Sequence, residues 1–394
     1  MSKSLSVLVV TTSFPYPGNE VAGQFVFREC LSLQSLGIKV CVLAPHIKGA
    51  PIQESIQGIS VRRFKYSLVE SWQNVAYGEG IPTNIKRKIS ARIGFPIMIL
   101  AMIKAVKKEA RNHDLIHAHW FIAGLAAVLG KARYQKTVLM IHHAHAANKL
   151  FLYILSKTDF LICNSSMVLQ KTLTIFPSND SDIIHPGIDT DFFTPLTDCK
   201  VKYNQPFQMI AVGRFISLKG FSVLIEACAL LRKSNLNFQL KLIGQGYLQV
   251  KLERQISKLD LKNHIKIIRN LPQRELKEQY QCSDLLIIPS IIDENGDTEG
   301  LGMVAVEAGA CGLPLLGSNV GGIPDVIKDG YNGFLFEASR YDKLAERIKE
   351  LMDNPVLYRR MGSAARAHVL ENFNTYKNAR KIQNVYKKLT GSKD

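Results

Sequence analysis

Two glutamates eight positions apart, Glu299 and Glu307, flank a glycine-containing turn that directly follows an apolar run. The run, residues 285–290, reads as a buried strand, and the turn leads into a helical pattern that Gly312 ends. Parallel α/β sheets place their chemistry in the loops at the carboxyl ends of such strands. Because Glu299 precedes the first helical turn, its carboxylate can reach a ligand, and residues 298–310 form the predicted active-site element.

The backbone of this turn predicts an anion site. The first N–H groups of a helix have no partner within the helix and carry partial positive charge, so they attract phosphate oxygens. These amides belong to Gly300, Leu301, Gly302, Met303 and Val304. Glu307 lies one turn after Met303 on the same face, where it can accept hydrogen bonds from ligand hydroxyl groups. The alternative is an ordinary surface helix with two solvated glutamates.

A second strand-to-helix junction supplies two cations. Residues 207–212 read as a buried strand followed by Gly213 and Arg214, and Lys219 precedes a helical pattern over 221–231. Arginine can bind a diphosphate through two hydrogen bonds, and lysine adds a mobile point charge. Either cation alone would read as ordinary protein surface. Together with the glutamate segment they predict a diphosphate site.

The two patterns together resemble glycosyltransferase family 4, a family of retaining enzymes with the GT-B fold. The resemblance extends over nearly the whole chain, and the paired-glutamate segment is its most specific part. Further matches are Ser13, Phe14 and Pro15 with Gly23, the run 114–120, Asn164 with Ser165, and the run 185–189. The family commonly has two adjacent glycines where this chain has Ala22 and Gly23.

The resemblance implies a role for each matched residue. The implied catalytic residues are Arg214, Lys219, Glu299 and His142. The implied donor-binding residues are Gly23, Gly213, Arg214, Lys219, Asn270, Leu271, Glu299, Gly300, Leu301, Gly302, Met303, Val304 and Glu307. His119 and His142 would face the acceptor or the transferred sugar, Glu299 would orient that sugar, and Glu307 would bind the ribose. A structural role in the core is the alternative for His119.

Clustered histidines raise the question of a metal. They stand at positions 117, 119, 142, 143 and 145, but no carboxylate or cysteine lies at ligand spacing, so we predict no metal site. Two D-x-D strings, beginning at Asp180 and Asp189, are predicted to form turns. Because Arg214 and Lys219 can neutralise a leaving diphosphate, we expect neither a cofactor nor a divalent ion.

Composition bounds the class of protein. A chain of 394 residues, 46% hydrophobic and 21% charged, is typical of a globular protein with two domains. Seven scattered cysteines without a C-x-x-C pair indicate reduced thiols and a cytoplasmic location.

The formal net charge of +17 is concentrated in one segment. Residues 86–111 contain eight cations and a single acid, Glu109, around the apolar stretch 93–103. Such a segment can lie on an anionic membrane as a peripheral contact, and the alternative is a core helix with a basic outer side. No zinc-ligand or aromatic RNA-binding motif accompanies the charge, so we predict no nucleic-acid partner.

Short apolar runs alternate with helical patterns, which predicts an α/β protein of two doubly wound Rossmann-like domains with parallel sheets facing across a cleft. The expected strands are 6–12, 39–44, 115–118, 137–142, 159–163, 182–185, 207–212, 238–243, 265–268, 285–289, 315–317 and 333–336. The expected domains are an acceptor-binding domain over 1–197, onto which 375–394 crosses back, and a nucleotide-sugar-binding domain over 198–374.

The leading functional hypothesis is a retaining glycosyltransferase. It would move a sugar from a nucleoside-diphosphate-sugar donor to a hydroxyl of a glycan, lipid-linked glycan or small polar acceptor, in cell-surface polysaccharide or glycoconjugate biosynthesis. One alternative is a nucleotide-sugar epimerase or phosphorylase on the same fold. Another is a non-catalytic basic protein that binds membranes.

Overall fold

The structure is a computed structural model that describes residues 4–17, 22–78, 80–143, 148–177, 180–196, 206–269, 271–294 and 296–391. The chain forms two compact units. Unit 1 is Met1–Gly187 with Thr375–Asp394, and unit 2 is Ile188–Asn374.

Unit 1 is built on an eight-stranded sheet. Its strands are β1 Ser6–Val10, β2 Lys39–Pro45, β3 Gln53–Ile56, β4 Ile59–Phe64, β5 Leu115–His119, β6 Lys136–Ile141, β7 Phe160–Cys163 and β8 Ser181–Ile183. They lie in the order β3-β4-β2-β1-β5-β6-β7-β8, and every neighbouring pair is parallel except β3 with β4. Its first six helices are α1 Gln24–Ser35, α2 Ile81–Arg87, α3 Ile89–Glu109, α4 Trp120–Gly130, α5 Lys149–Lys157 and α6 Ser166–Ile175.

Unit 2 has a six-stranded sheet that is parallel throughout. The strands are β9 Phe207–Val212, β10 Phe238–Ile243, β11 Ile265–Ile268, β12 Leu285–Ile288, β13 Leu315–Ser318 and β14 Gly333–Phe336, in the order β11-β10-β9-β12-β13-β14. The helices are α7 Phe221–Lys233, α8 Gln249–Lys258, α9 Gln273–Gln281, α10 Met303–Ala310, α11 Ile323–Val326, α12 Tyr341–Asp353 and α13 Pro355–Asn372. A last helix, α14 Thr375–Thr390, belongs to unit 1.

The central strands are largely apolar because helices cover both faces of each sheet. In β12, for example, all four side chains are buried. The two-domain parallel architecture expected from the sequence is confirmed. The β3–β4 hairpin was not predicted; its turn uses Gln57 (φ 50°) and Gly58 (φ 85°), and Gln-Gly is a weaker hairpin signal than Asn-Gly.

The boundary between the units lies ten residues before the predicted division after residue 197. Ile188 donates a backbone hydrogen bond to the Phe373 carbonyl (2.8 Å), and Phe193 is fully buried in the core of unit 2. The Arg366 guanidinium also binds the carbonyls of Thr190 and Phe193 (3.0 and 2.6 Å). Residues 188–195 are therefore packed into unit 2, not into the first domain to which the sequence assigned them.

Within the described residues, Ile89–Asn112 is a helical stretch long and apolar enough to cross a bilayer, judged by length and composition alone. Met98, Met102 and Val106 on this stretch are fully buried in the core of unit 1. One face of α3 is thus part of the folded unit.

Candidate active site

The predicted cation junction and the glutamate segment follow neighbouring strands of unit 2. β9 and β12 pair in parallel, with Met209 opposite Leu285 and Ile210 opposite Leu286. The loops after the two strands therefore leave the same edge of the sheet. This topology brings residues 213–220 next to residues 289–302.

Gly220 allows the two loops to approach closely. Its φ is +61°, and a Cβ atom at this position would lie 1.8 Å from the carbonyl oxygen of Pro289. Only glycine has the space and the conformational freedom for this contact. As a result, Lys219 is held against the end of β12.

Lys219 and Glu299 form an ion pair. Lys219 Nζ donates to Glu299 Oε2 at 2.5 Å, and the Ser290 hydroxyl donates to the same oxygen at 3.2 Å. Both charged side chains are mostly buried, at 16% and 13% exposure. The aliphatic stem of Lys219 passes 3.4 Å from the position that a Cβ on Gly213 would occupy. Ser290 ends the apolar run 285–290, but the sequence predicted no role for it.

A pair of glycines fixes the backbone around Glu299. The Gly322 amide donates to the Glu299 carbonyl at 3.0 Å. A Cβ on Gly321 would lie 2.0 Å from the same oxygen, and one on Gly322 would lie 2.1 Å from the Gly300 carbonyl. The loop that carries Glu299 is therefore tightly packed against residues 321–322.

The start of α10 presents the amides predicted to bind an anion. Gly302 precedes the helix at φ 85° and makes no side-chain cap. Across the described residues, no hydrogen bond is made by the N–H groups of 300–304. The Leu301 side chain is buried in the core, whereas Met303 and Val304 are partly exposed. Unpartnered amides at a helix start can hold phosphate oxygens.

Glu307 is oriented by Tyr280. The buried Tyr280 hydroxyl donates to Glu307 Oε2 at 3.0 Å. Burial, and then the adjacent Glu307 carboxylate, raise the pKa of Tyr280 well above its usual value, so the hydroxyl remains a donor.

Arg214 and Leu271, which are also predicted to bind the sugar donor, do not join the Lys219–Glu299 pair directly. Arg214 is exposed, and its guanidinium makes no hydrogen bond or ion pair to a residue that the structure describes. Leu271 is half-buried against the core of unit 2. Asn270 lies outside the described residues.

In unit 1, His119 and His142 meet at the ends of adjacent strands. His119 ends β5, His142 follows β6, and His119 Nδ1 lies 3.2 Å from His142 Nε2. Burial, and then the neighbouring His119, lower the pKa of His142 well below its usual value. His142 is therefore a neutral imidazole at neutral pH.

Aromatic rings and strained backbone surround His142. The rings of Phe25 and Trp120 each lie 4.9 Å from it, and Trp120 has φ 69°, which is unfavourable for a bulky side chain. Gly23 precedes α1 at φ 63°, and a Cβ there would lie 2.3 Å from the Ser13 carbonyl. Gly23 thus packs against the loop after β1, on the same edge of the sheet as His119.

A buried carboxylate reaches the histidines, although the sequence showed no carboxylate at ligand spacing from them. Glu29 Oε1 lies 3.2 Å from His119 Nε2 and 3.5 Å from His117 Nδ1. The sequence could not show this because Glu29 comes from α1, far away in the chain. The ligand atoms of the three residues lie within 4.8 Å of one another, close enough to hold a metal ion. His117 Nδ1 is also hydrogen-bonded to the Tyr386 hydroxyl at 2.6 Å.

The D-x-D string at Asp189 forms a turn, as predicted, whereas the string at Asp180 runs into strand β8 and the turn predicted there is wrong. The Asp189 carboxylate accepts hydrogen bonds from the amides of Asp191 and Phe192 at 3.0 and 2.9 Å. An aspartate that caps its own backbone in this way is typical of turns.

Two family models match the chain. The model described as glycosyltransferase family 4 matches residues 22–192, and the model described as glycosyl transferases group 1 matches residues 198–368.

Similar proteins come from several organisms. A glycosyltransferase of Methanocaldococcus jannaschii is 30% identical over 292 residues, covering 72% of this chain and 77% of the relative. The amylovoran biosynthesis glycosyltransferase AmsK of Erwinia amylovora is 27% identical over 307 residues, covering 74% of each chain.

Solved structures with the same fold cover almost the whole chain. Sucrose-phosphate synthase from Thermosynechococcus elongatus has a TM-score of 0.80 at 19% identity, covering 98% of this chain and 100% of its own. HepE of Anabaena in complex with UDP has a TM-score of 0.74 at 17% identity, with 98% and 100% coverage.

Proposed function

The chain belongs to glycosyltransferase family 4, with the GT-B fold, and from this membership we propose that it is a retaining enzyme using a nucleoside-diphosphate-sugar donor. The acceptor is a hydroxyl of a glycan, lipid-linked glycan or small polar molecule. The similarity to an amylovoran biosynthesis enzyme supports a role in cell-surface polysaccharide or glycoconjugate synthesis.

The observation that carries this proposal is the Lys219–Glu299 pair beside the unpartnered amides of residues 300–304. When the bond between the anomeric carbon and the diphosphate breaks, negative charge grows on the phosphate oxygens. Lys219, Arg214 and the helix start stabilise that charge. The structure of HepE with UDP supports a nucleoside diphosphate as the group bound.

Glu299 holds hydroxyl groups of the sugar, and Glu307 binds the ribose. His142 faces the transferred sugar as a neutral imidazole, which can donate or accept one hydrogen bond. Backbone groups near Leu271 contact the base in this proposal, so the side chains there do not disclose which base is bound.

Retention follows from attack on the face that the diphosphate leaves. The acceptor oxygen bonds to the anomeric carbon as the phosphate oxygen departs, and the acceptor proton passes to that phosphate oxygen. Glu299 is already paired with Lys219, which leaves it a poor nucleophile for a double displacement.

No divalent ion takes part in this scheme, because protein cations and amides balance the diphosphate charge. Activity should persist in excess chelator. Complete loss of activity, restored by a divalent ion, would contradict this part of the proposal.

The first experiment is a thermal-shift screen against UDP, GDP, ADP and dTDP, followed by a panel of matching nucleotide sugars. Saturable stabilisation by a nucleoside diphosphate, with no comparable effect of DNA, is expected. NMR of the product should show the donor's anomeric configuration. Products formed without any acceptor, or free sugar phosphate, would instead indicate an epimerase or a phosphorylase.

A further inference from the structure

Helix α3 exposes an apolar stripe on the face opposite the core. The exposed fractions are 74% for Ile89, 48% for Ile93, 46% for Ile97 and 67% for Leu100. These positions are three or four residues apart, so their side chains share one side of the helix. A surface helix normally carries polar residues there, and an apolar stripe of this length indicates a partner.

A neighbouring turn adds apolar surface. Leu68, Val69 and Trp72 are 103%, 53% and 44% exposed around the 3-10 turn Glu70–Trp72. The Asn74 amide holds this segment beside the start of α3 by donating to the Ser90 hydroxyl at 3.0 Å. Tryptophan is enriched where proteins meet the boundary between lipid and water.

The second half of the same helix is cationic. Its exposed residues are Lys104, Lys107, Lys108 and, just beyond the helix, Arg111. A groove between α3 and β4 is lined by Arg62, Lys65, Lys104 and Lys108. Arg62 is paired with Glu109 and Lys65 with Glu70. In contrast, neither Lys104 nor Lys108 has an acidic partner among the residues that the structure describes.

We propose that this face of unit 1, made up of Ile89, Ile93, Ile97 and Leu100 with Lys104 and Lys108, docks on an anionic lipid bilayer. Helix α3 lies parallel to the membrane plane, its isoleucines enter the boundary between headgroups and acyl chains, and its lysines contact lipid phosphates. The helix does not cross the bilayer, because its other face is packed in the core.

Charge distinguishes a lipid surface from a second copy of the chain. The face combines apolar side chains with unpaired cations and has no exposed acid between residues 86 and 111, since Glu109 is buried. Two copies meeting through this face would bring like charges together, whereas an anionic membrane neutralises them.

The test is sedimentation of the full chain with phosphatidylglycerol-containing vesicles and with pure phosphatidylcholine vesicles. The wild-type protein should bind the anionic vesicles and bind the neutral ones at least tenfold more weakly. Two double variants, Ile93→Ser with Ile97→Ser and Lys104→Glu with Lys108→Glu, should each lower binding about tenfold or more. The matched control is Lys251→Glu with Lys258→Glu on α8, which makes the same charge change and should retain wild-type binding.

Nucleotide-dependent thermal stabilisation, measured without vesicles, should be unchanged in all of these variants, which shows that they fold. Equal binding to neutral and anionic vesicles, or equal losses in the α8 control, would overturn the proposal. A concentration-dependent dimer that the isoleucine variant abolishes would assign the face to a second copy instead.

Discussion

Lys219 Nζ lies 2.5 Å from Glu299 Oε2, although 80 residues separate the two in the chain. The residue proposed to neutralise the diphosphate and the residue proposed to hold the sugar are therefore directly paired. Because both are mostly buried, removing one takes the opposite charge away from the other in a poorly solvated place. Loss of Lys219 should consequently weaken nucleoside-diphosphate binding, whereas loss of the Glu299 charge should not.

Glu299→Gln should separate catalysis from nucleotide binding. Turnover should fall about 100-fold, because the amide cannot hold the sugar hydroxyls as strongly as a carboxylate does. The affinity for a nucleoside diphosphate should stay the same or increase, because Lys219 no longer shares its charge with an anion. Calorimetry and saturating-donor kinetics measure the two effects. Glu294→Gln, on the exposed loop nearby, is the control, and equally weakened nucleotide binding would count against the assignment.

Tyr280→Phe should weaken ribose recognition. Loss of one hydrogen bond to Glu307 is expected to cost about 0.5–1.5 kcal/mol, which raises the Kd of the nucleoside diphosphate about 2- to 12-fold. The Kd of the corresponding 2′,3′-dideoxy nucleotide should not change. Tyr331→Phe, at a 53% exposed tyrosine, is the matched control. Equal weakening of both nucleotides would place Glu307 away from the ribose.

Gly220→Ala should disrupt the approach of the two loops. A Cβ there collides with the Pro289 carbonyl, whereas Gly330 has a similar φ of +73° with open space around it. We expect Gly330→Ala to cost about 1 kcal/mol of stability and Gly220→Ala about 3 kcal/mol or more. Urea denaturation followed by fluorescence measures the difference. Equal costs would show that the loops do not need this contact.

Acid should destabilise unit 1 through its buried histidines. Burial, and then the neighbouring His119, lower the pKa of His117 to about 3, although Glu29 opposes the shift. As the pH falls, His117 is protonated first in the unfolded chain, near its usual value of about 6.5. The stability from neutral His117 is thus complete above that pH and is lost progressively toward pH 3. Between about pH 7.5 and 5 the loss should be about 2 kcal/mol.

Urea midpoints measured across that pH range test this expectation. His117→Gln should make the free energy of unfolding depend less on pH. His142 should account for the pH dependence that remains, because its pKa is also lowered. His264→Gln in unit 2 is the control. A His117→Gln curve parallel to that of the wild-type protein would rule out the assigned role.

The sequence predicted the fold because its signals were local. Short apolar runs such as those of β9 and β12, followed by loops that contain glycine, favour buried strands of a parallel sheet. The β3–β4 hairpin was not predicted because its strands are short and the side chains of β3 are only partly buried.

Long-range partners escaped prediction for a different reason. Lys219 and Glu299 are an exception: the local patterns of both segments assigned them to one diphosphate site, and the pairing of β9 with β12 brings their loops together. Nothing in the sequence around His117 and His119 indicates that Glu29 faces them, because that contact depends on how α1 packs on the sheet. The sequence identified the apolar stretch of α3 but left open whether it is a membrane contact or a core helix, because composition does not show which side of a helix is covered.

The most direct test of the diphosphate site is the turnover of Lys219→Ala and Arg214→Ala at saturating donor, with Lys233→Ala as a control on the exposed end of α7. Each of the two site variants should fold normally and lose about 100-fold or more in turnover, because a positive charge that faces the leaving group has been removed. The control should retain wild-type activity. Near-normal turnover in both folded site variants would contradict the account.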